Sequence, residues 1–260
     1  MRLDYESGLD GIADWCLALP PKPGVKDWIV CIHGHGSHGN QLYIRADIKT
    51  SWLPYYLERG LGILTPNLRN NAWMSPSAVN DMDALLDFTR AQWGEANFYF
   101  ASGSMGATSN LIYGSLRPDN VAGIIARGAV TNLADYIPFC RAGQVETPVL
   151  KDIADCIEAS YGGAPAEIPD VYREHSPIYR PEAFRNIPVF LVHGTRDKLM
   201  PVSQSRKFAS SLADNPMFAY IEIPAGSHDS PLHIKEGASD GIFAPLGWIM
   251  KTARDNSIVK

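Results

Sequence analysis

The sequence lacks the features of a secreted or membrane-inserted chain. Its first residues, MRLDYESGLDGIADW, are polar and acidic where a signal peptide needs a basic start and an apolar run. No stretch approaches about 18 consecutive apolar residues. The four cysteines lie far apart and form no C-x-x-C pair, so they indicate neither a zinc site nor a disulfide scaffold. We therefore expect a cytoplasmic protein without a membrane-spanning segment.

An excess of charge of either sign is also missing. The 28 acidic and 23 basic residues are mixed along the chain, the formal net charge is −5, and no block of lysine and arginine could follow a phosphate backbone. Nucleic acid is therefore not an expected partner. With 45% hydrophobic residues in a length of 260, the chain can bury a sizeable core, and we expect a single domain over residues 1–260.

Short apolar runs alternate with helix-like segments, which is the pattern of parallel strands joined by crossover helices. Two further strands are predicted within 1–19, with a turn at Ser7–Gly11, and Ser77 and Gly94 are predicted to cap and end the first long helix. The predicted fold class is α/β, with a mostly parallel central sheet of about eight strands and helices on both faces. The predicted strands are 28–33, 61–65, 97–102, 121–126, 188–193 and 218–223, and the predicted helices are 77–93, 105–116 and 203–213.

One long connection, 131–187, interrupts this alternation. It contains six prolines and one helical candidate around 149–160. The segment is too short to be an independent domain, so we expect a small cap-like insertion that covers a pocket.

A serine between a predicted strand and a predicted helix is the first candidate for chemistry. The run Ser102-Gly103-Ser104-Met105-Gly106 resembles the nucleophile-elbow motif G-x-S-x-G, except that serine stands at the first glycine position. A small residue there still permits the sharp turn that exposes the hydroxyl of the middle serine. The alternative is an ordinary turn of glycine and serine, and the motif alone does not decide between the two.

Two further residues supply the partners that a serine nucleophile requires. Asp197 follows the predicted strand 188–193, where a carboxylate can orient an imidazole and stabilise its charged form. His228 follows the predicted strand 218–223, and imidazole is the side chain best suited to proton transfer near neutrality. Taken alone, each of these two residues could equally be an ordinary loop residue with no catalytic role. Their order after Ser104, each beyond a strand, predicts a catalytic triad.

Over nearly its whole length the chain resembles the α/β-hydrolase superfamily. Within that superfamily its sequence pattern resembles the catalytic domains of prolyl-oligopeptidase-like and dienelactone-hydrolase-like proteins. The segments that carry the likeness are SGLDGIADWCLALP, IHGHG, LTPNLRN, FASGSMGATSN, YREHSPIYRPEAFRNIPVFLVHGTRDKLMPVSQSRKF and IPAGSHD. The resemblance implies the α/β-hydrolase fold and a serine mechanism that uses no metal or organic cofactor. The pattern starts within the first twenty residues, which leaves no room for the large β-propeller of the peptidase members and favours an esterase.

In that superfamily one backbone donor of the oxyanion hole comes from the loop after an early strand. The sequence HGHG, residues 33–36, occupies this place, and we assign the N–H groups of His35 and Gly36 as partners of Met105 N–H. Each such donor is worth on the order of 3 kcal/mol in the transition state.

The histidines of this segment permit a second interpretation. His33, His35 and His38 spell H-x-H-x-x-H, which could be a metal cluster of a metallohydrolase. The segment has no nearby carboxylate ligand and the oxyanion assignment already accounts for it, so we predict no metal site. His33 ends a buried strand and is expected to make structural hydrogen bonds, whereas His175 and His233 have no assigned role.

The predicted function is hydrolysis of small or short-chain carboxylic esters through an acyl-enzyme on Ser104, with a small-molecule ester as the partner. One alternative is a serine peptidase that acts on short peptides, because the triad does not distinguish an ester from an amide. Another is a non-catalytic binding relative of the fold.

The substrate pocket is expected to be walled by 67–74, the start of 131–187 and the loop around 229–233. The apolar substrate contacts proposed there are Trp73, Tyr136, Ile137 and Phe139, and the groups proposed to recognise an anionic substituent are Arg69 and Arg127.

Overall fold

A mostly parallel sheet forms the centre of the molecule. The computed structural model describes residues 1–234 and 244–258. Within them, eight strands form one sheet in the order β1-β2-β4-β3-β5-β6-β7-β8. The strands are β1 (Arg2–Glu6), β2 (Ala13–Leu19), β3 (Asp27–Val30), β4 (Gly62–Pro66), β5 (Asn97–Gly103), β6 (Gly123–Arg127), β7 (Val189–Gly194) and β8 (Phe218–Ile223).

The strand pairings confirm the predicted α/β class. Strand β2 is antiparallel to both of its neighbours, β1 and β4, and the other five pairings are parallel. The turn between β1 and β2 is closed by a hydrogen bond from Gly11 N–H to Ser7 O at 2.9 Å, and Gly11 has a φ of +70° that suits glycine. The predicted turn at Ser7–Gly11 is therefore confirmed.

The helices are α1 (Gln41–Ile44), α2 (Ala46–Ser51), α3 (Leu53–Glu58), α4 (Pro76–Trp93), α5 (Met105–Leu116), α6 (Leu133–Gly143), α7 (Val149–Tyr161), α8 (Pro169–Glu174), α9 (Val202–Ser211) and α10 (Pro245–Ile258). The three helices predicted from periodicity correspond to α4, α5 and α9. Over the part of the chain that the structure describes, no helix combines the length and the apolar character needed to cross a bilayer.

One predicted helix cap is wrong. Helix α4 begins at Pro76 with Ser75 before it, so Ser77 lies inside the first turn and does not cap it. Proline is well suited to the first helical position, because its φ is preset and its missing N–H would have no intrahelical partner there. The other end of α4 agrees with the prediction, since Gly94 follows the last residue with a φ of +86°.

Both faces of the sheet are buried, each by its own set of helices. The side chains of β3 and of the residue after it alternate between the two faces. Trp28 and Val30 belong to the cluster that includes residues of α4, α5 and α9, whereas Ile29 and the following Cys31 belong to the cluster with residues of α2, α3 and α10. This alternation explains why the strands appear as continuous apolar runs in the sequence.

The connection 131–187 packs on the body of the protein. It contains the helices α6, α7 and α8, although only the helix around 149–160 was predicted. Helix α6 was missed because Pro138 lies inside it, and proline usually interrupts a helix. Apolar side chains of α6 and α7, such as Tyr136 and Ile157, are buried in the same cluster as those of α4 and α5.

The topology brings three chain segments to one edge of the sheet. Strands β5, β7 and β8 are parallel members of the sheet, so their carboxyl ends lie on the same side, where open α/β sheets bind their ligands. Ser104 follows β5 directly, and Asp197 and His228 lie in the loops after β7 and β8.

Gly106 marks a close approach between α5 and the loop after β3. A Cβ atom at this position would overlap the carbonyl oxygen of Ile32 and lie 2.8 Å from its carbonyl carbon. Because backbone atoms cannot turn aside as a flexible side chain can, we expect Gly106→Ala to lower the free energy of unfolding by about 1–3 kcal/mol. Thermal unfolding followed by circular dichroism should show a melting temperature several degrees below that of the wild type.

The matched control for this variant is Gly8→Ala. Gly8 lies in an exposed turn where an added Cβ would meet no atom within 4 Å, so its effect should stay within about 0.5 kcal/mol. Equal melting temperatures for the two variants would contradict the close packing of α5 on this loop.

Candidate active site

Ser104 occupies the sharp turn between β5 and α5. Its φ is 58° and its ψ is −127°, a backbone conformation that non-glycine residues rarely adopt. Its N–H donates to Arg127 O on β6 at 2.8 Å, and its carbonyl oxygen accepts from Thr108 N–H at 3.0 Å. The turn is thus held by the sheet on one side and by α5 on the other, and Ser104 lines a cavity at the sheet edge.

His228 lies between Ser104 and Asp197. The distance from His228 Nε2 to Ser104 Oγ is 3.0 Å, and the distance from His228 Nδ1 to Asp197 Oδ2 is 2.8 Å. An ionised carboxylate can only accept, so Nδ1 carries the proton of the neutral ring and Nε2 is left to accept from the serine hydroxyl. The structure therefore brings the three residues predicted as a triad into one hydrogen-bonded line.

Asp197 is a fully buried carboxylate with several donors around it. Its Oδ1 accepts from Leu199 N–H at 2.8 Å and from Met200 N–H at 2.9 Å, and His193 Nε2 lies 3.4 Å from Oδ2. Burial alone would raise the pKa of Asp197, but the hydrogen bonds from His193 and His228 outweigh burial and hold this pKa well below its usual range. Asp197 therefore remains ionised wherever an imidazole titrates.

Two residues that support the acid were not singled out from the sequence. His193 is buried at the end of β7, with Nδ1 2.7 Å from Ser205 Oγ and Nε2 2.9 Å from Met200 O, so it ties the loop of Asp197 to α9. Gly128 has a φ of +64°, and a Cβ there would lie 3.5 Å from Asp197 Oδ2. The sequence signal for His193 was its place in the HGTRD run, four residues before the acid.

Ser102, the residue that departs from the elbow motif, is inaccessible. Its side chain is fully buried, and its Oγ accepts from Ile32 N–H at 2.9 Å and donates to the side-chain amide of Asn110. The hydroxyl thus satisfies the backbone of the loop after β3, which explains why serine is tolerated at this position. Because Ser102 is buried and bonded in this way, the accessible serine of the elbow is Ser104.

The oxyanion loop, residues 33–36, lies beside the elbow. Gly34 is close to Ser104, since a Cβ added to it would lie 3.8 Å from Ser104 Cβ. Met105 N–H is the first of α5, where no intrahelical acceptor exists. Across residues 1–234 and 244–258, His35 N–H has no protein acceptor either. Both groups can therefore donate to a substrate oxygen.

The prediction that Gly36 adds a further donor is wrong. Gly36 N–H donates to Asn71 Oδ1 at 2.8 Å, so this donor is already used within the protein. Gly34 N–H is used in the same way, because it donates to Gln41 Oε1 at 2.8 Å. The two side chains instead anchor the oxyanion loop on both sides of His35.

The histidines of the H-x-H-x-x-H run point to different partners. His33 is buried, and its ring nitrogens lie 2.8 Å from Gly34 O and 2.9 Å from Asn67 O, which is the structural hydrogen bonding expected of it. His38 Nδ1 lies 3.2 Å from Asn70 Oδ1. These contacts occupy the rings separately, so the run does not form a shared set of metal ligands.

His35 belongs to a different cluster, with Asp152 and Cys156 of α7. Their potential ligand atoms lie within 4.8 Å of one another. However, Trp73 Nε1 donates to His35 Nδ1 at 3.3 Å, which leaves the proton of the neutral ring on Nε2. That N–H faces Asp152 Oδ2 at 2.7 Å, whereas a metal would need the bare nitrogen. The observed bonds fit an imidazole–carboxylate hydrogen bond.

A cavity of about 280 Å³ opens next to Ser104 and His228. Its apolar lining includes Ile48, Trp52, Val149, Ile153, Leu199 and Leu232. Its polar lining includes Gln41, Arg45 and Asp229 besides His35, Ser104 and His228, and the Arg45 guanidinium is paired with Asp47 and Asp229. The volume lies just below the range for small-molecule pockets, about 300–1,000 Å³.

The two arginines predicted to contact the substrate are engaged elsewhere. Arg69 forms ion pairs with Asp10 and Asp81, and it lines a separate pocket. Arg127 is 1% exposed, with its guanidinium carbon 4.2 Å from the centre of the Trp52 ring. Neither lines the cavity among the described residues, so both predictions are wrong. A buried or nearly buried arginine is held by partners inside the fold, and a local motif does not reveal those partners.

The predicted aromatic contacts are also wrong. Trp73 and Tyr136 are buried, with ring centres 5.7 Å apart, and Phe139 stacks on Tyr136. Tyr136 O–H donates to Leu199 O, and Ile137 is buried in the core. Together they form a layer behind the oxyanion loop, and among the described residues none of them lines the cavity.

Apart from the motif segments of Ser104, His228 and His35, the cavity is lined by residues of segments that carried no motif. The first group, around α1 and α2, includes Gln41 and Trp52, and the second is the face of α7 with Val149 and Ile153. The helical period of α7 was visible in the sequence, but which face meets the cavity depends on tertiary packing. The loop around 229–233 does contribute Asp229 and Leu232.

Comparison with known proteins identifies a relative among esterases. Esterase LipC of Mycobacterium tuberculosis (strain ATCC 25618 / H37Rv) is 41% identical over 76 residues, which are 28% of this chain and 18% of LipC. The match therefore covers less than a fifth of the length of that relative.

Solved structures share the fold. FphF, a fluorophosphonate-binding serine hydrolase of Staphylococcus aureus, superposes with a TM-score of 0.65 at 15% identity over 99% of this chain and 96% of that chain. The acylaminoacyl peptidase of Pyrococcus horikoshii gives a TM-score of 0.64 at 18% identity over 90% of this chain and 39% of that chain. The predicted α/β-hydrolase fold is confirmed. Residues 17–212, most of the chain, match the family model BD-FAE, and the protein therefore belongs to the BD-FAE family.

Proposed function

We propose that the protein is a serine carboxylic ester hydrolase that acts through an acyl-enzyme on small or short-chain esters. The observation that carries this proposal is the continuous line from Asp197 through His228 to Ser104, with distances of 2.8 Å and 3.0 Å. These are hydrogen-bond distances, as a nucleophile and its base require.

In the first half of the reaction, Ser104 Oγ attacks the acyl carbon of the ester while His228 Nε2 takes the hydroxyl proton. The carbonyl π electrons move to the oxygen, which becomes an oxyanion and accepts from Met105 N–H and His35 N–H. Asp197 stabilises the imidazolium through its bond to Nδ1 and remains ionised. The tetrahedral intermediate then breaks the bond to the leaving oxygen, which receives the proton from His228.

In the second half, water attacks the acyl-enzyme and gives its proton to His228. A second tetrahedral intermediate forms at the same donors, and its collapse breaks the bond to Ser104 Oγ, which recovers the proton from the imidazolium. The products are a carboxylic acid and an alcohol, and the enzyme returns to its starting state. Ser104, His228 and Asp197 complete this cycle with water as the only co-reactant.

The cavity supports a small substrate. Its volume of about 280 Å³ is bounded by Ile153 of α7 and by Ile48 and Trp52, and these three side chains are buried in the core. A long acyl chain would therefore have to displace packed side chains.

A serine peptidase is the second candidate, favoured by the structural likeness to an acylaminoacyl peptidase. The triad serves both reactions, but an amide is harder to cleave because its nitrogen leaves only when protonated. His228 would then have to be aimed at the leaving nitrogen as well as at Ser104. The small cavity favours the ester.

A fluorophosphonate probe tests the nucleophile. We expect it to label the wild-type protein once, on Ser104, and we expect Ser104→Ala to lose at least about a thousandfold in rate while keeping the wild-type melting temperature. Mass mapping of the peptide that contains Ser104 and a p-nitrophenyl ester assay measure the two outcomes.

Ser102→Ala is the matched control, because it removes a neighbouring hydroxyl that is buried and bonded to Ile32 N–H. It should still be labelled. Labelling at Ser102, or turnover of the Ser104→Ala variant near the wild-type rate, would reject the assignment. A protein that neither reacts with the probe nor hydrolyses any ester would be a non-catalytic binding relative.

A substrate panel separates the esterase from the peptidase. We expect measurable kcat/KM on p-nitrophenyl esters of short acyl chains, falling as the chain outgrows the cavity, and far weaker cleavage of aminoacyl p-nitroanilides. The Ser104→Ala protein, assayed in parallel, gives the background. Anilide turnover as efficient as ester turnover would replace the esterase by the peptidase and leave the triad unchanged.

A further inference from the structure

The cap helix α7 contacts the cavity and the oxyanion loop at the same time. Val149 and Ile153 line the cavity that holds Ser104. Asp152, on the same helix, places Oδ2 2.7 Å from His35 Nε2. One helix therefore carries both a wall of the cavity and a contact to His35, the residue whose N–H is the proposed oxyanion donor.

The His35 ring is held from two sides. Trp73 Nε1 donates to Nδ1 at 3.3 Å, and Nε2–H donates to Asp152. Burial lowers the pKa of the His35 imidazole, although Asp152 acts in the opposite direction, so the neutral ring is the favoured form near neutrality. A neutral imidazole has one donor and one acceptor, and here each has a matching partner. The ring orientation is thereby fixed.

The neighbours of His35 in the loop are fixed through their own N–H groups, by Gln41 at Gly34 and by Asn71 at Gly36. His35 differs because its N–H must stay available for the substrate, so the residue has to be held through its ring. Among residues 1–234 and 244–258, the only carboxylate that anchors the His35 ring is Asp152.

We propose that Asp152 is a positioning residue for the oxyanion hole: by holding the His35 ring it aims His35 N–H at the reacting carbonyl oxygen. This inference rests on the proposed function, since it assumes that His35 N–H stabilises the oxyanion. It also makes the oxyanion hole depend on how α7 is docked against the body of the protein.

Stability of the fold does not account for this contact. The Asp152 side chain is 64% exposed, and an ion pair or hydrogen bond at an exposed carboxylate contributes only about 0–1 kcal/mol to folding. The effect of the carboxylate is instead expected on the transition state, where a displaced donor costs much more. Loss of one oxyanion donor lowers kcat by roughly a hundredfold to a thousandfold, and a misaimed donor loses part of that.

The test compares Asp152→Ala with Asp152→Asn on p-nitrophenyl acetate. Asp152→Ala should lower kcat by about tenfold to a hundredfold, with KM nearly unchanged, because the donor acts on the transition state more than on the bound ester. Asp152→Asn keeps an amide oxygen that accepts from His35 Nε2–H, so it should remain close to the wild type. The rate of covalent labelling by a fluorophosphonate, whose oxygen enters the same hole, should fall in parallel.

Two further variants of α7 serve as controls. Asp155→Ala removes another carboxylate of α7, which pairs with Lys151 of α7 and with Arg141 of α6. It therefore makes the same change in charge without altering the contact to His35. Cys156→Ser alters the third member of the His35 cluster, whose Sγ lies 3.9 Å from Asp152 Oδ1. Both should keep the wild-type kcat.

Several results would overturn the proposal. A kcat and a labelling rate of Asp152→Ala equal to those of the wild type would rule out the positioning role. An equal loss of kcat in Asp155→Ala would also rule it out. So would a loss of kcat/KM in Asp152→Ala that comes entirely from a higher KM. An equal loss in Asp152→Ala, Asp152→Asn and Cys156→Ser, together with a loss of wild-type activity on treatment with EDTA that added zinc restores, would replace the hydrogen bond by a cation site. If the wild type is labelled but hydrolyses no ester, the proposed function fails while the labelling rates still decide the role of Asp152. A wild type that is not labelled rejects both.

Discussion

The backbone conformation of Ser104 is the constraint on which the rest of the site depends. A positive φ at a non-glycine residue costs about 1–3 kcal/mol and persists only where the surroundings impose it. Here Arg127 O on β6 accepts a hydrogen bond from Ser104 N–H, and Gly106 allows α5 to approach the loop after β3. Ser102, two residues earlier, satisfies Ile32 N–H in that same loop. The elbow and the segment that leads into the oxyanion loop are thus packed against each other, which sets the Ser104 hydroxyl beside the proposed oxyanion donors.

The charged groups of the site are arranged so that one of them stays ionised and another can exchange a proton. Asp197 is fully buried yet surrounded by donors, which keeps it a carboxylate, whereas the side chain of His228 is 18% exposed. Ile153, which α7 presents to the cavity, is buried in the same hydrophobic cluster as residues of α4 and α5. A rigid wall and a small volume together favour a small substrate.

The sequence was sufficient for the fold and for the hydrogen-bonded line of the triad, because both are encoded locally. Strands buried on both faces appear as apolar runs, and Ser104, Asp197 and His228 each follow such a run at a turn. The substrate contacts were not predictable in this way. Arg69 is bound by Asp10 and Asp81, which are distant in sequence, and no local pattern shows that pairing. The same reason explains the missed cavity residues, the use of Gly36 N–H by a side chain of another loop, and the contact between α7 and the oxyanion loop.

The proposed mechanism depends on an acyl-enzyme at Ser104, and direct capture of this intermediate is the most decisive measurement. The protein is mixed with excess p-nitrophenyl acetate, quenched in acid during the first turnovers, and examined by intact-protein and peptide mass spectrometry. Because p-nitrophenolate leaves easily, deacylation is the slower step and the intermediate accumulates. The account predicts a mass increase of one acetyl group, located on Ser104, that appears with a burst of p-nitrophenol and disappears as the substrate is consumed. Steady release of p-nitrophenol with no acetyl group on Ser104 would contradict it.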